Sequence, residues 1–275
     1  MNEINEMNCQ NSEIVLPQDF EYPNLIRPWM CFDTETTGFT KFDDILQLSL
    51  IDFKGETINE FFNTRPKVNQ LKRGGTSITR KRTWKKSMAV HHITPEMVCD
   101  KLSLIARKDE FRSKFKEYSI VLGYNVAFDV RMITSNIWYS IEKNSAVIDV
   151  LNLWKKFKAK YNIETENNKL ITASKYFGWD YTDYAHNALA DVYATIYVLQ
   201  KIIEDEEFYM ECLNAKKTYT PKNSNQSKPK AKSKISKPSF QKNENLETLN
   251  LLDFEEDEKP SLFSDIEDFD EENPF

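Results

Sequence analysis

The stretch Phe32–Gly38, Phe-Asp-Thr-Glu-Thr-Thr-Gly, directly follows the apolar residues Trp29–Cys31. Successive side chains of a strand point to opposite faces, so Asp33 and Glu35 are expected to share one face. Thr36, Thr37 and Gly38 then end the strand in a tight turn. The stretch therefore predicts a short buried strand that carries two carboxylates to its polar end.

A second acidic position lies in Asn125–Asp129, Asn-Val-Ala-Phe-Asp, just after the apolar stretch Ser119–Tyr124. A third lies in His186–Asp191, His-Asn-Ala-Leu-Ala-Asp, where a helical spacing of apolar residues begins and continues to about Glu206. Asp129 is thus expected at the start of one helix and Asp191 in the first turns of another. Small alanines beside Asp191 would let that helix end approach the sheet closely.

The order of the predicted elements indicates a mixed α/β domain. Three strands with short connections predict an antiparallel meander, and alternating strands and helices then follow it. Strands are predicted over 29–33, 45–51, 58–63, 119–124 and 146–149. One helix is predicted to start at 94–96, and further helices are predicted over 111–116, 128–137, 151–160 and 186–206.

Four carboxylates that converge in a fold carry too much negative charge to remain unneutralised, and hard divalent cations prefer oxygen ligands. The spacing therefore predicts a metal site formed by Asp33, Glu35, Asp129 and Asp191. Two-metal sites stabilise the attacking and leaving oxygens of a phosphodiester displacement. A neutral histidine such as His186 could take the proton from the attacking water, because its ordinary pKa of about 6.5 is near working pH.

Each of these motifs is weak when it stands alone. An Asp-x-Glu pair is most often solvated surface charge, and Asn-x-x-x-Asp is equally typical of a helix cap. In their order and context, however, Asp-x-Glu-Thr-Thr-Gly at 33–38, Asn-x-x-Phe-Asp at 125–129 and His-x-Ala-x-x-Asp at 186–191 resemble the DEDDh exonucleases. This DnaQ-like group has a ribonuclease-H-like fold, and the similarity covers about residues 29–205.

The resemblance implies a 3′–5′ exonuclease that uses two Mg²⁺ or Mn²⁺ ions and releases nucleoside 5′-monophosphates. Asp33 would bridge both ions, Glu35 and Asp191 would hold the first, and Asp129 would help to place the second. His186 would be the general base. The backbone around Thr36, Thr37 and Gly38 would contact the terminal nucleotide, with Asn125 as a supporting polar residue.

The expected roles of such an enzyme are replication proofreading or repair on DNA, and two alternatives remain open. One is an RNA-trimming member of the same group, since the catalytic residues do not distinguish the sugar. The other is a catalytically silent adaptor that binds nucleic acid, although all five catalytic positions are filled. The stretch His91-His92-Ile93-Thr94 also resembles the family, whose members often have His-Gly-Ile-Thr there. His92 stands in the usual glycine position, and this histidine either packs a loop or contacts substrate.

Composition divides the chain into a polar N-terminal extension (1–24), a folded domain (25–212), a basic linker (213–242) and an acidic tail (243–275). The linker has nine Lys and no acid, whereas the tail has thirteen Asp and Glu against one Lys. Both are expected to be disordered. Most of the net charge of −6 therefore comes from the tail, because residues 1–213 hold 27 basic and 30 acidic residues.

A basic insertion is predicted at residues 65–86, which contain nine Lys and Arg and no acid. On a flexible loop these cations would bind nucleic-acid phosphates by counterion release, and Trp84 could stack on a base. A solvated charged loop is the simpler alternative.

The tail ends in Asp268-Phe269-Asp270-Glu271-Glu272-Asn273-Pro274-Phe275, which resembles the acidic tip of bacterial single-stranded-DNA-binding proteins. Pro274 and Phe275 are predicted to dock into a replication or repair partner, with an acidic solubilising tail as the alternative. Pro260–Phe263 only loosely resembles a sliding-clamp peptide.

The four cysteines, Cys9, Cys31, Cys99 and Cys212, have no Cys-x-x-Cys pair, which argues against a zinc ribbon or a disulfide framework. No apolar run approaches the length of a membrane span. The polar N-terminus does not have the pattern of a secretory signal. The chain is therefore expected to be a soluble, cytoplasmic protein.

Overall fold

A computed structural model describes residues 14–70, 76–79 and 83–217, with the side chains of 67–70 and 76–79 left undescribed. These ranges belong to one compact unit, Met1–Thr220. The acidic tail, the tip with Pro274 and Phe275, and nearly all of the predicted linker lie outside the described residues. Cys9 also lies outside them, and so do parts of the N-terminal extension and of the basic insertion.

The domain is built on a mixed five-stranded sheet, as the strand pattern predicted. Its strands are β1 (Trp29–Thr36), β2 (Ile45–Asp52), β3 (Thr57–Phe61), β6 (Ile120–Gly123) and β7 (Ala146–Asp149). Their order across the sheet is β3-β2-β1-β6-β7. The pairs β1/β2 and β2/β3 are antiparallel, whereas β1/β6 and β6/β7 are parallel. The predicted α/β class with three antiparallel strands followed by parallel ones is confirmed.

The helices include every one that the apolar spacing predicted, together with several shorter ones that it missed. They are α1 (Lys85–His91), α2 (Pro95–Val98), α3 (Lys108–Lys116), α4 (Ala127–Ile137), α5 (Ile141–Asn144), α6 (Val150–Tyr161), α7 (Leu170–Tyr176), α8 (Ala188–Ile202) and α9 (Glu206–Leu213), with 3₁₀ turns at Leu104–Arg107 and Thr182–Tyr184. The sequence pattern of α8 had predicted one longer helix to about residue 206, but a turn separates it from α9.

Alternate residues of β1 enter different halves of the core, which places helices on both faces of the sheet. Trp29 and Cys31 pack in a cluster with residues of α6 and α8. Met30 and Phe32 pack in another with residues of α3 and α4. Every residue of β2 is buried. Because both faces of β1 are covered, its polar positions are confined to the carboxyl end of the strand.

The basic insertion contains regular structure that the sequence pattern did not predict. Its strands β4 (Lys67–Gln70) and β5 (Thr76–Thr79) pair antiparallel as a separate two-stranded sheet. The prediction that Trp84 stacks on a base is wrong, because Trp84 is only 4% exposed. Its indole nitrogen donates to the carbonyl of Ile93 at 2.7 Å. Arg65 also serves the fold, since its guanidinium pairs with the buried Asp44 carboxylate.

Within the described ranges, none of the helices combines the length and apolarity that a membrane span requires. Cys31, Cys99 and Cys212 are free thiols.

Candidate active site

The carboxyl end of β1 carries the first two carboxylates of the site. Asp33 and Glu35 lie two positions apart on one face of the strand and are half-buried. The register between β1 and β2 shifts between Glu35 and Thr36. Irregularities of this kind re-aim the side chains beside them and are common next to active sites.

The start of α8 brings the third carboxylate to this face. Asn187 caps the helix by accepting from the amide of Leu189 at 3.0 Å. Ala188 and Ala190 are fully buried, so this helix end lies close to the sheet as predicted. Asp191 then offers a carboxylate oxygen that lies within 4.8 Å of ligand oxygens from Asp33 and Glu35, and those two oxygens are equally close to each other.

Asp129 reaches the site from the other side of β1. Its Oδ1 accepts from the amide of Thr34 at 3.1 Å and from the hydroxyl of Thr34 at 2.6 Å. Asp129 is not part of the group within 4.8 Å, but its charge raises the pKa of Asp33 and Glu35. The structure thus places three predicted ligands together and the fourth beside them.

Burial dominates the electrostatics of these four groups, and repulsion from the neighbouring carboxylates adds to it for Asp33 and Glu35. Burial is the largest cause in each case, and it raises the pKa of Asp33 and Glu35 well above the ordinary range. It raises the pKa of Asp129 and of Asp191 to about 7. Hydrogen bonds from Thr34 to Asp129 act in the opposite direction but do not outweigh burial.

Within the described residues, little positive charge compensates these carboxylates. No Lys or Arg in the described ranges forms an ion pair with any of the four carboxylates. Asp191 Oδ1 is buried and has no hydrogen-bond partner within the same ranges. Buried polar atoms normally have partners, so an orphaned carboxylate oxygen in an all-oxygen cluster fits a hard divalent cation.

His186 lies at the entry to α8, with its backbone in the left-handed region at φ 64°. Only a small share of non-glycine residues adopt this conformation, and functional sites are where they concentrate. The ring is half-buried. Burial, followed by the charges of Lys169 and His92, lowers the pKa of His186. The environment therefore favours the neutral imidazole that a general base requires.

The turn after β1 uses several of its own polar groups internally. The hydroxyl of Thr36 donates to the carbonyl of Gly38 at 2.7 Å, and the amide of Thr37 donates to the carbonyl of Asp44 at 2.9 Å. The Thr37 amide is therefore committed within the turn. Asn125, the other predicted substrate contact, is exposed with φ 55° at the end of β6. The backbone amide of Asn125 donates to Asp149 Oδ1 at 2.9 Å.

His91 packs the same turn. Its Nδ1 accepts from the amide of Ile93 at 3.0 Å, so the proton is on Nε2, which donates to the carbonyl of Thr36 at 3.1 Å. Burial lowers the pKa of His91, in keeping with this neutral state. His92 follows with φ 58°, a left-handed conformation suited to the glycine that the family often has there.

Three residues of the site were not predicted from the sequence. Thr34 holds Asp129, and Tyr181 is buried where its hydroxyl lowers the pKa of Asp191. Asp149 accepts from the amides of Asn125 and of Leu151, and so joins the start of α4 to the cap of α6. Thr34 lies inside the first motif, but no local pattern indicates Tyr181.

The mixed sheet and the cluster of carboxylates at the end of β1 define a nuclease-type hydrolase of ribonuclease-H-like architecture. The family model RNase_T, described as Exonuclease, matches residues 30–199. The chain belongs to this exonuclease family, which is divalent-metal dependent, and the resemblance to DnaQ-like exonucleases is confirmed.

Solved structures of E. coli Exonuclease I share this fold. One, in complex with a dA16 oligonucleotide, has a TM-score of 0.54 and 20% identity. A second, with a 5cy-dT13 oligonucleotide, has a TM-score of 0.53 and 19% identity. Each match covers 67% of this chain but only 42% of that protein. A structure described as SSB/Exonuclease I with the inhibitor CFAM has a TM-score of 0.53 and 19% identity. That match covers 67% of this chain and 43% of the other. No curated protein sequence matches the chain.

Proposed function

We propose that the protein is a 3′–5′ exonuclease that removes nucleoside 5′-monophosphates from the 3′ ends of DNA. The observation that carries this proposal is the convergence of ligand oxygens from Asp33, Glu35 and Asp191 within 4.8 Å, inside a domain of the exonuclease family. The charge of Asp129 raises the pKa of Asp33 and Glu35, and a hydrogen bond from the backbone of His186 lowers the pKa of Asp191. Replication proofreading or repair is the proposed setting, in the cytoplasm.

We infer that the cluster holds two Mg²⁺ or Mn²⁺ ions, because its ligand atoms are carboxylate oxygens, which hard divalent cations prefer. Asp33 would be a ligand to both, Glu35 and Asp191 to the first, and Asp129 to the second. Bound divalent ions supply an activated water and neutralise charge on the phosphodiester oxygens. The protein's own contribution is to hold these carboxylates in place, with Thr34 fixing Asp129 through two hydrogen bonds.

His186 would take the proton from the attacking water. Its lowered pKa keeps the ring neutral before the reaction, so the imidazole can accept a proton at working pH. The backbone of Thr36 and Gly38, together with the exposed Asn125, would orient the terminal nucleotide. His91 supports this arrangement by holding the carbonyl of Thr36.

Digestion of 5′-labelled single-stranded DNA and RNA, with Mg²⁺ or Mn²⁺ and with or without chelator, tests the proposal. A ladder that shortens from the 3′ end and stops in chelator is expected for DNA. Asp33→Ala should eliminate cleavage, whereas Asp183→Asn, a charge removal on an exposed turn, should leave it intact. Cleavage that persists in Asp33→Ala at equal purity would contradict the assignment, and faster digestion of RNA would instead favour RNA trimming.

The acidic tip, which lies outside the described residues, is proposed to recruit a replication or repair protein. An apolar terminal side chain can enter a pocket while neighbouring acids contact a basic rim. Removal of Pro274 and Phe275 should abolish capture of that partner. Undiminished capture by the shortened chain would reject docking through the tip.

A further inference from the structure

A groove runs along the outer edge of the main sheet. β7 comes last in the strand order and pairs with β6, so its other edge has no strand beside it in the part of the chain that the structure describes. The groove has a volume of about 700 Å³ and lies between α6 and the end of α9 with the residues that follow. Its lining includes Val147, Ile148 and Asp149, and we call it the β7 groove. Successive side chains of a strand point to opposite faces, so a groove that touches three of them in a row follows the edge of the strand.

The free edge of β7 presents backbone groups that lack partners. Ala146 donates its amide to the carbonyl of Ser119, the residue before β6, at 2.9 Å. Because the backbone groups of successive strand residues point to opposite edges, the N–H and C=O of Val147 are directed to the free edge. Neither of them has a hydrogen-bond partner among the described residues. Unpaired groups of this kind are a template on which another extended chain can pair.

The β7 groove has an apolar floor and a basic rim. Leu153 and Cys212 are 3% and 1% exposed, and they form the floor together with Val147. Lys155 and Lys216 are exposed at the rim. Neither lysine forms an ion pair with a carboxylate of the described ranges. The groove therefore combines apolar surface with positive charge that its surroundings do not neutralise.

The acidic side chains of the lining are already engaged. Asp149 Oδ1 accepts from two backbone amides, at 2.9 and 3.0 Å. Glu211 pairs with Lys156 at 2.6 Å. The two lysines of the rim thus leave the groove with a positive charge that favours an anionic ligand.

We propose that the β7 groove binds an acidic segment of a partner protein in an extended conformation. The backbone of that segment would pair with Val147, its alternate side chains would contact the apolar floor, and its acids would pair with Lys155 and Lys216. Addition of a strand to an exposed sheet edge is a recurring way in which domains recognise extended peptides. This interaction goes beyond the proposed function and does not depend on it, because it requires no cleavage.

A peptide fits the β7 groove better than a nucleic-acid strand or a second copy of this chain does. The free edge offers a donor and an acceptor on the same residue, Val147, and an extended peptide supplies the complementary carbonyl and amide. A phosphodiester backbone has acceptors but no donor for the carbonyl of Val147. In a symmetric dimer the same surface meets itself, so the lysines of two β7 grooves would repel each other.

Fluorescence anisotropy with the full chain and a labelled, amidated hexapeptide of alternating Glu and Val tests the charge of the rim. Lys155→Glu and Lys216→Glu should each raise the Kd about fivefold, the effect of losing an exposed ion pair. Lys116→Glu is the matched control and should bind like the wild type. Lys116 is exposed at the end of α3, which packs on the other face of the sheet, and it has no ion pair within the described residues.

Amide hydrogen exchange separates strand addition from charge pairing alone. At ten times its Kd the peptide should slow the exchange of the Val147 amide about tenfold, because only about a tenth of the chains stay unoccupied. The Asn59 amide of β3, the strand at the opposite edge of the sheet, is the internal control and should keep its rate.

An unchanged Kd in both rim variants, or an equal loss in Lys116→Glu, would overturn the proposal. So would equal binding of a hexapeptide with Lys in place of Glu, or no saturation up to about 1 mM peptide. Peptide binding that leaves the exchange of the Val147 amide unchanged would reject strand addition. Displacement by a dT6 oligonucleotide at lower concentration than by unlabelled peptide would assign the groove to nucleic acid instead. A dimer in sedimentation that is lost in Lys155→Glu would assign it to a second copy.

Discussion

Replacement of Asp191 by asparagine should stabilise the metal-free protein while it abolishes cleavage. In the fold, burial raises the pKa of Asp191 from 3.8 to about 7. That difference corresponds to about 4 kcal/mol of unfolding free energy, at 1.36 kcal/mol for each pKa unit. It is an upper bound, because Asp33 and Glu35 share the titration and the new amide needs its own hydrogen-bond partners. A gain of about 1 to 3 kcal/mol is therefore expected.

The sign of the pH dependence follows from linkage. Below pH 3.8 the Asp191 carboxyl is protonated in both states and contributes nothing. Between pH 3.8 and about 7 the unfolded chain releases this proton while the folded chain keeps it, so the folded state loses stability as pH rises. Above pH 7 the penalty is constant. The advantage of Asp191→Asn should thus be small near pH 4 and reach its plateau by pH 8.

Urea unfolding followed by tryptophan fluorescence, in EDTA at pH 4.5 and pH 8, measures this difference. Asp183→Asn makes the same chemical change on an exposed turn and should not alter stability. An Asp191→Asn variant that is no more stable than wild type at pH 8 would refute the reasoning, as would a gain that is equal at both pH values. Mn²⁺ at 100 times its Kd should add about 2.7 kcal/mol to the wild type and less to the variant.

His186→Gln should lower kcat by about 10²- to 10⁴-fold, as expected for loss of a general base, and leave Mn²⁺ binding within about twofold by calorimetry; a matching loss of metal affinity would contradict the role of base. Thr34→Val removes the hydrogen bond from the hydroxyl to Asp129 and should lower the unfolding free energy by about 1 kcal/mol. The variant should also need a higher Mn²⁺ concentration for half-maximal cleavage. An unchanged metal dependence would show that Thr34 does not position Asp129. Neutralising the Lys and Arg between residues 67 and 82 should reduce the salt slope of single-stranded DNA binding by about 0.7 for each phosphate that these side chains neutralise. Arg65 is kept because it pairs with Asp44. An unchanged slope would exclude the insertion from DNA binding.

The main sheet was predictable because its strands and helices have clear apolar periodicity. The class, the antiparallel meander and the helix starts before Asp129 and Asp191 all agree with the structure. The hairpin of β4 and β5 was missed, because Gly74-Gly75 is a turn signal but the basic and polar residues around it do not alternate with apolar ones as a half-buried strand does. Trp84 was misjudged for a related reason. Its basic neighbours suggested a solvent position, whereas it packs with Leu46 and Ile93.

Sequence alone determined which chemistry the site can carry, because the motifs name the five side chains and alternation along a strand places Asp33 and Glu35 on one face. Only the tertiary structure decided how those groups meet, since Asp191 and Asp129 arrive on helices that cover opposite faces of β1. It also decided that Arg65 serves the fold, because its guanidinium pairs with the buried Asp44 carboxylate. Such outcomes depend on contacts between residues far apart in the chain, and no local pattern of residues records them.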